Sequence, residues 1–244
     1  MLLCIAEALT EALDSDGPQD YNGAFEKGEL RRSLQSLKGT AAGHDGIHNS
    51  MLQRLPDTYQ TWLLKIINHS YAETYIPPDW KIATVIPILK PAKPSSDAKS
   101  YRPISLLPCI PKLMEKLINH RLYYTLEKKR VFSNTQFGFR KRLTTIDHIA
   151  RLENKINEAL SMKKICLAVF FDLESAYDSV WHTALIYKLA NSGIRGRMLA
   201  WIREYLSGRN FKTFFEGSFS SMRNMTSGVP QGSVLSPTFF NVMV

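Results

Sequence analysis

The stretch KICLAVFFDLESAYDSVW, Lys164 to Trp181, opens with a continuous apolar run of strand length and then sets three carboxylates, Asp172, Glu174 and Asp178, within seven residues. A run that is apolar without alternation is the pattern of a strand covered on both faces, so a buried strand is predicted to end at Asp172. A carboxylate at the open end of such a strand is a hard oxygen ligand in a fixed place, suited to Mg²⁺, which takes one or two carboxylates together with substrate phosphates. A merely solvated strand-end aspartate is the alternative. Glu174 and Asp178 are weaker candidates. Glu174 lies past the strand end, and Asp178 is placed to cap the following helix.

Working outward, helices are predicted from about Ser179 to Asn191, ended by Gly193, and around Met198 to Leu206, ended by Gly208. A hairpin turning near Gly217 follows, then SGVPQGSVLSPTFFNVMV, a loop running into an apolar helix. Upstream, Thr144 and Asp147 form a capping-box pattern ahead of Ile146, Ile149, Leu152, Ile156 and Leu160, which stripe one helix face. Another helix spans about Ile110 to Glu127 with Ile110, Leu113, Leu117 and Tyr124 facing one way. KIATVIPILKPAKPSSDAKSYRPISLLP reads as two short strands joined by a basic loop. DTYQTWLLKIINHSYAETY is a helix with Trp62, Leu63, Ile66, Ile67 and Tyr71 available to pack, and GELRRSLQSLKG a shorter one with Leu30, Leu34 and Leu37 on one face. His44 and His48 have ligand spacing only on a helix, which Gly46 opposes. The first 24 residues, with DSDGPQDYNG, read as a loosely packed lead-in.

The net charge of +9 is concentrated. Residues 1–80 carry 6 basic and 11 acidic side chains, residues 81–142 carry 14 and 3, and residues 143–244 carry 11 and 8. The middle third therefore holds the surface for a polyanion, with a plain solvated basic face as the alternative. No apolar run approaches the roughly 18 residues of a membrane span, and the opening is too short and too soon acidic for a secretory signal. An intracellular protein, nuclear or cytoplasmic, is expected. Cys4, Cys109 and Cys166 are too scattered for a disulfide framework or a Cys-x-x-Cys site, and are expected to be buried thiols.

FFDLESAYDSVW, Phe170 to Trp181, followed by SGVPQGSVLSPTFFN, Ser227 to Asn241, closely resembles two consecutive blocks of the reverse transcriptases of non-LTR, LINE-like and jockey-type retrotransposons. GHDGIHNSML, PPDWKIATVIPILKPAKPSSDAKSYRPISLLP and SNTQFGFRKRLTTIDHI resemble three earlier blocks, in family order, over Gly43 to Val244. The resemblance implies an α+β chain with the right-handed polymerase fold. It assigns residues 1–42 to a lead-in and amphipathic helix, 43–164 to fingers (the domain proper from about residue 72) and 165–244 to a partial palm, with the thumb absent. It implies RNA-directed DNA synthesis by two-Mg²⁺ nucleotidyl transfer, with an RNA template, a DNA primer and dNTPs as partners.

Position by position, the resemblance makes Asp172 the first metal-binding palm aspartate, with the Leu173 backbone carbonyl beside it. Tyr177 matches the aromatic that excludes a 2′-hydroxyl, the one group separating ribonucleotide from deoxyribonucleotide there. Gln231 and Gly232 match the turn near the nascent base pair, and Lys90 or Lys93 with Arg102 match positions that grip the triphosphate. Arg140, Lys141 and Arg142 are expected on the template backbone. The early block departs from the family at His44 and His48, where proline is usual. The family's aromatic-Ala-Asp-Asp block, source of the second and third carboxylates, does not occur in the sequence. The chain by itself is therefore expected to bind RNA or an RNA/DNA hybrid with little polymerase activity. The rival readings are a non-catalytic nucleic-acid-binding remnant and an RNA-templated RNA polymerase, which Tyr177 disfavours.

Overall fold

The computed structural model describes residues 2–15 and 20–244. The elements in order are α1 (Leu2–Asp14), α2 (Lys27–Gln35), α3 (Asn49–Gln53), α4 (Asp57–Ala72), β1 (Ile82–Leu89), β2 (Tyr101–Leu106), α5 (Cys109–Lys128) and α6 (Thr145–Ser161). There follow α7 (His182–Asn191), α8 (Gly196–Leu206), β3 (Arg209–Phe215), β4 (Ser218–Phe219), β5 (Arg223–Met225) and α9 (Ser236–Met243). The chain is thus a mixed α/β fold with one sheet, ordered β2-β1-β3-β4, in which β5 also pairs with β3.

The β-branched run of β1 pairs antiparallel with β2, from Thr84 opposite Leu106 to Leu89 opposite Tyr101. It pairs parallel with β3, Ile82 opposite Asn210 through Val85 opposite Thr213. The hairpin between β3 and β4 turns at Glu216 and Gly217, both at positive φ as a tight two-residue turn requires.

The core lies around α5, whose Leu113, Met114, Leu117, Ile118, Leu122 and Leu126 are all buried. From α8 and α9 come Trp201, Tyr205 and Phe239, with the Trp201 and Tyr205 rings stacked at 5.4 Å. From α2 and α4 come Leu30, Leu34, Leu63, Ile67 and Tyr71. Trp62 and Ile66 of α4 and Tyr124 of α5, expected in the core, are instead exposed. The apolar positions of these helices wrap further round the axis than one contact face covers.

The lead-in is not loose. Ala12 is buried and Leu9 and Leu13 pack on the core, while the Tyr21 hydroxyl donates to the Gly193 carbonyl at 3.1 Å and the Asn22 amide to the Arg195 carbonyl at 3.2 Å. Of the turn predicted in that stretch, residues 16–19 lie outside the described ones. Cys109 is buried as expected, whereas Cys166 is exposed, and the Cys4 side chain lies outside the described ones.

The largest correction concerns the opening stretch. Residues 164–173 form no strand, and Ile165 and Phe171 are 97% and 90% exposed. A strand needs a neighbour to accept its ladder, and no described strand lies beside this run. α6 shares its fate. Its Thr144–Asp147 capping box forms as predicted, yet none of its residues is buried, because no described element covers the stripe.

Candidate active site

The segment Asp172 to Asp178 turns back toward the sheet and walls one side of a cavity of about 710 Å³. The opposite wall comes from the β1–β2 connection and β2 itself: Lys90, Lys99, Tyr101, Arg102 and Pro103, with Gln231 at the junction. Lys90, Arg102, Asp172, Leu173, Tyr177 and Gln231, all singled out in the sequence, therefore meet in one place.

Local chemistry explains why the β1–β2 wall holds its shape. The Lys90 amide donates to the Ser100 carbonyl at 2.8 Å, and the Lys90 ammonium to the Lys99 carbonyl at 2.8 Å. The Asp97 carboxylate accepts the Lys99 amide at 2.9 Å, an Asx turn at the loop end. The Tyr101 hydroxyl donates to the Ser95 carbonyl at 3.0 Å, and its ring meets Phe215 edge-on at 5.8 Å. Two donors of the Lys90 ammonium remain for a ligand. Lys93 is exposed, in a turn outside the cavity lining.

The other wall is locked to the Ser227–Leu235 loop. The Tyr177 carbonyl accepts the Val229 amide at 2.9 Å, and the Val180 carbonyl the Gly228 amide at 2.8 Å. Gly228, at φ +80°, lies so close to Asp178 that a Cβ would sit 2.8 Å from its Cα, so only glycine fits. The Tyr177 ring packs against Phe240 at 5.6 Å while lining the cavity, and burial raises its pKa. Asp178 does not cap α7, whose N-cap is Trp181 without a side-chain bond. Asp178 keeps exposed surface, yet the protein around its carboxyl raises its pKa, and it lines both this cavity and an adjoining one of about 400 Å³.

The same loop is held from below. The Ser105 amide of β2 donates to the Gln231 carbonyl at 2.8 Å, and a Cβ on Gly232, at φ +139°, would fall 2.4 Å from the Ser105 carbonyl oxygen. The close approach that Gly232 permits is thus to β2. One turn further, buried Glu115 of α5 accepts the Ser233 hydroxyl and the Val234 amide, each at 2.7 Å, and Ser233 in turn accepts the Tyr205 hydroxyl at 2.9 Å. Sequence reading missed Glu115. The available signal was an acid among the core-facing positions of PKLMEKLI. Lys99 and Tyr101 were also missed, although they flank Arg102 in a loop already read as basic.

Arg140, Lys141 and Arg142 lie apart from the cavity lining. The Arg140 guanidinium is engaged internally, on Glu127 at 2.7 and 3.0 Å and on the Ser133 and Gln136 carbonyls. It has one N–H left to offer a template. Lys141 and Arg142 are less engaged. The Lys141 ammonium lies 5.3 Å from the Tyr123 ring centre.

A reverse transcriptase (RNA-dependent DNA polymerase) family model matches residues 88–244, which takes in every wall of this cavity. The chain belongs to the reverse transcriptase family. Among relatives, it is 36% identical over 240 residues to the RNA-directed DNA polymerase from mobile element jockey of Drosophila funebris, covering 98% of this chain and 26% of that protein. It is 38% identical over 215 residues to the probable RNA-directed DNA polymerase from transposon BS of Drosophila melanogaster, covering 88% and 24%. To that from transposon X-element of the same fly it is 34% identical over 235 residues, covering 96% and 25%. The chain spans about a quarter of the length of these relatives.

Proposed function

We propose that this reverse-transcriptase-family chain supplies the fingers, residues 43–164 with the domain proper from about 72, and part of the palm, residues 165–244, of an RNA-directed DNA polymerase of a mobile element, residues 1–42 being a lead-in. The observation that carries the reading is the meeting of Lys90, Arg102, Asp172, Tyr177 and Gln231, from separate stretches of sequence, in one cavity. Arg102 offers a fork of donors to a triphosphate and Lys90 a point charge. Tyr177, its ring fixed by Phe240, stands where a 2′-hydroxyl would intrude. The Gln231 turn, held by Ser105 and Glu115, shapes the floor under the incoming base. Lys141 and Arg142 take the template backbone. Nuclear or cytoplasmic residence is the matching expectation.

The donor set suits a divalent ion. Asp172 and the Leu173 carbonyl are hard oxygens beside the two cations that would hold phosphates, and Mg²⁺ binds through one or two carboxylates plus substrate oxygens rather than in an all-protein cage. When bound there, Mg²⁺ would neutralise the triphosphate and activate an attacking 3′-hydroxyl. A second reading, nucleic-acid binding without catalysis, has one observation in its favour: among the described residues no three His, Cys, Asp or Glu side chains gather into a metal site.

Fluorescence titration with Mg²⁺–dTTP and Mg²⁺–UTP tests the cavity, and the Mg²⁺ dependence of dTTP binding, set beside binding of a single RNA strand, separates the two readings. Arg102→Ala is expected to weaken dTTP binding tenfold or more, and Tyr177→Ala to bring UTP affinity up toward that of dTTP. Unchanged affinities in both variants would overturn the assignment. Mg²⁺-dependent dTTP binding that is lost on Asp172→Asn supports the catalytic reading, and strand binding without Mg²⁺-dependent dTTP binding supports the second.

A further inference from the structure

Helix α5 has both of its carboxylates engaged within the protein. Glu115 is 1% exposed and spent on Ser233 and Val234, and Glu127 is paired with Arg140 at 2.7 Å. What α5 leaves uncovered or half-buried is a ridge at four-residue steps, Lys112, Lys116, His120, Tyr124 and Lys128, which winds about 160° round the helix because each step turns about 40°. Residues four apart on a helix are neighbours about 6 Å apart along the axis. Arg32, Lys38 and Lys141 come close to the same ridge, and the crowding is visible in proton affinity. Burial, then Lys38, lowers the pKa of Lys116, and burial, then Lys141, Lys116 and Arg32, lowers that of His120, against a small opposing pull from Glu29. Among the described residues, Lys112, Lys116, His120 and Lys128 have no ion-pair partner, and Lys116 donates only to the Ser36 carbonyl.

The series runs into a second cavity of about 380 Å³, lined by Tyr21, Arg121, Tyr124, Lys128 and Lys129, with Asp20 the one acid among the described lining residues. Arg121 is spent on Glu29 and on backbone carbonyls, and Lys129 donates to the Gly193 carbonyl. Tyr124, 67% exposed, and Lys128 are left facing whatever enters.

Unpaired cations along an exposed ridge favour a flexible polyanion that can follow it. An exposed aromatic in the same series, beside a base-sized hollow, selects among polyanions for one with unpaired bases, since base–aromatic stacking combined with a cationic track is how single strands are held. We propose that this winding ridge of α5 binds single-stranded nucleic acid, its phosphates along Lys112, Lys116 and Lys128 with a hydrogen bond from His120, and one base against Tyr124. This surface shares no lining residue with the active-site cavity, and the inference stands whether or not the polymerase reading does.

The test is fluorescence anisotropy with a labelled single-stranded 12-mer, as RNA and as DNA of the same sequence, across a salt series, with heparin as the base-free polyanion. The combined variant Lys112→Gln, Lys116→Gln, Lys128→Gln should lose at least tenfold in affinity at 0.1 M salt, with the slope of log K against log salt shrinking by about 2, given roughly 0.7 per phosphate on single strands. Tyr124→Ala should weaken 12-mer binding about tenfold and leave heparin binding unchanged. The strand showing the larger loss names the sugar preferred. Wild-type affinity in the combined variant, or a Tyr124→Ala effect equal on heparin and 12-mer, overturns the proposal. Mg²⁺–dTTP affinity should not move in either variant, which keeps this result separate from the test of the active-site cavity.

Discussion

Helices α5 and α6 start from similar material and end differently. α5 carries apolar residues nearly all round, and its Leu, Ile and Met side chains are sealed by α2, α8, α9 and the Ser227–Leu235 loop. α6 has the cleaner amphipathic pattern and the better N-terminal cap, yet buries nothing, and the apolar run after it lies open as far as Leu173. The difference lies in what stands opposite each face. Patterning states which atoms would gain from leaving water, at about 25 cal/mol per Å², and a facing surface decides whether they do. An apolar expanse of this kind marks a surface made for contact. The candidate active-site cavity sits on the seam between the two regimes: its sheet side is built, and Asp172 stands at the end of the open run.

The sharpest way to break this comparison is to delete one aromatic from each region. Trp201→Ala, in the sealed core at 2% exposure, should cost about 3–5 kcal/mol in urea unfolding. Next comes Glu115→Ala, which strands the Ser233 hydroxyl and the Val234 amide in the interior. At about 1–3 kcal/mol for each of the two orphaned groups, a loss of about 2–6 kcal/mol is expected, together with weaker Mg²⁺–dTTP binding as the Gln231 turn loosens. A Glu115→Ala protein with wild-type stability would show that the loop is held by other means.

A smaller effect probes the junction between the regions. Glu127 has its pKa lowered, first by the hydrogen bonds from Arg140. A carboxyl whose folded pKa is depressed adds stability above its unfolded value, here 4.5, and loses it as pH falls through the folded one. Glu127 and Arg140 side chains are 30% and 12% exposed, so screening holds the contribution to about 1 kcal/mol or less. Wild type should lose that margin over Arg140→Gln below about pH 4.5. A stability gap constant down to pH 3 would contradict the pairing. Smallest of all, Phe171→Ala, at a site 90% exposed, should change stability by no more than about 0.5 kcal/mol. Limited proteolysis should cut between residues 162 and 173 before any site in α5 or α8.

Much of this was legible in the residues. The capping box at Thr144, the two β-branched runs with their basic connection, the Glu216–Gly217 turn and the glycine stops at Gly193 and Gly208 are local signals, and local chemistry produces them. The candidate site was proposed from a set of blocks, and Lys90, Arg102, Asp172, Leu173, Tyr177 and Gln231 from those blocks line one cavity. What escaped reading depends on partners far away in sequence. The run before Asp172 has the composition of a buried strand and no described neighbour. Trp62 and Ile66 lie on an apolar face wider than its contacts, and Tyr124 stands out in the row of Lys116, His120 and Lys128. Glu115 reads as a surface acid until Ser233 and Val234 arrive from more than a hundred residues on. Gly232 reads as making room for a ligand, whereas the room it makes is for Ser105.

The central claim is that the cavity between β2 and the Asp172–Asp178 segment is where a deoxynucleoside triphosphate binds. Photo-crosslinking with 8-azido-dATP and Mg²⁺, mapped by peptide mass spectrometry, tests it most directly. Label is expected on peptides containing Tyr101–Arg102, Tyr177–Asp178 or Gln231, removed by excess dTTP and lost in Arg102→Ala. Label that concentrates elsewhere and yields to dTTP there would contradict it.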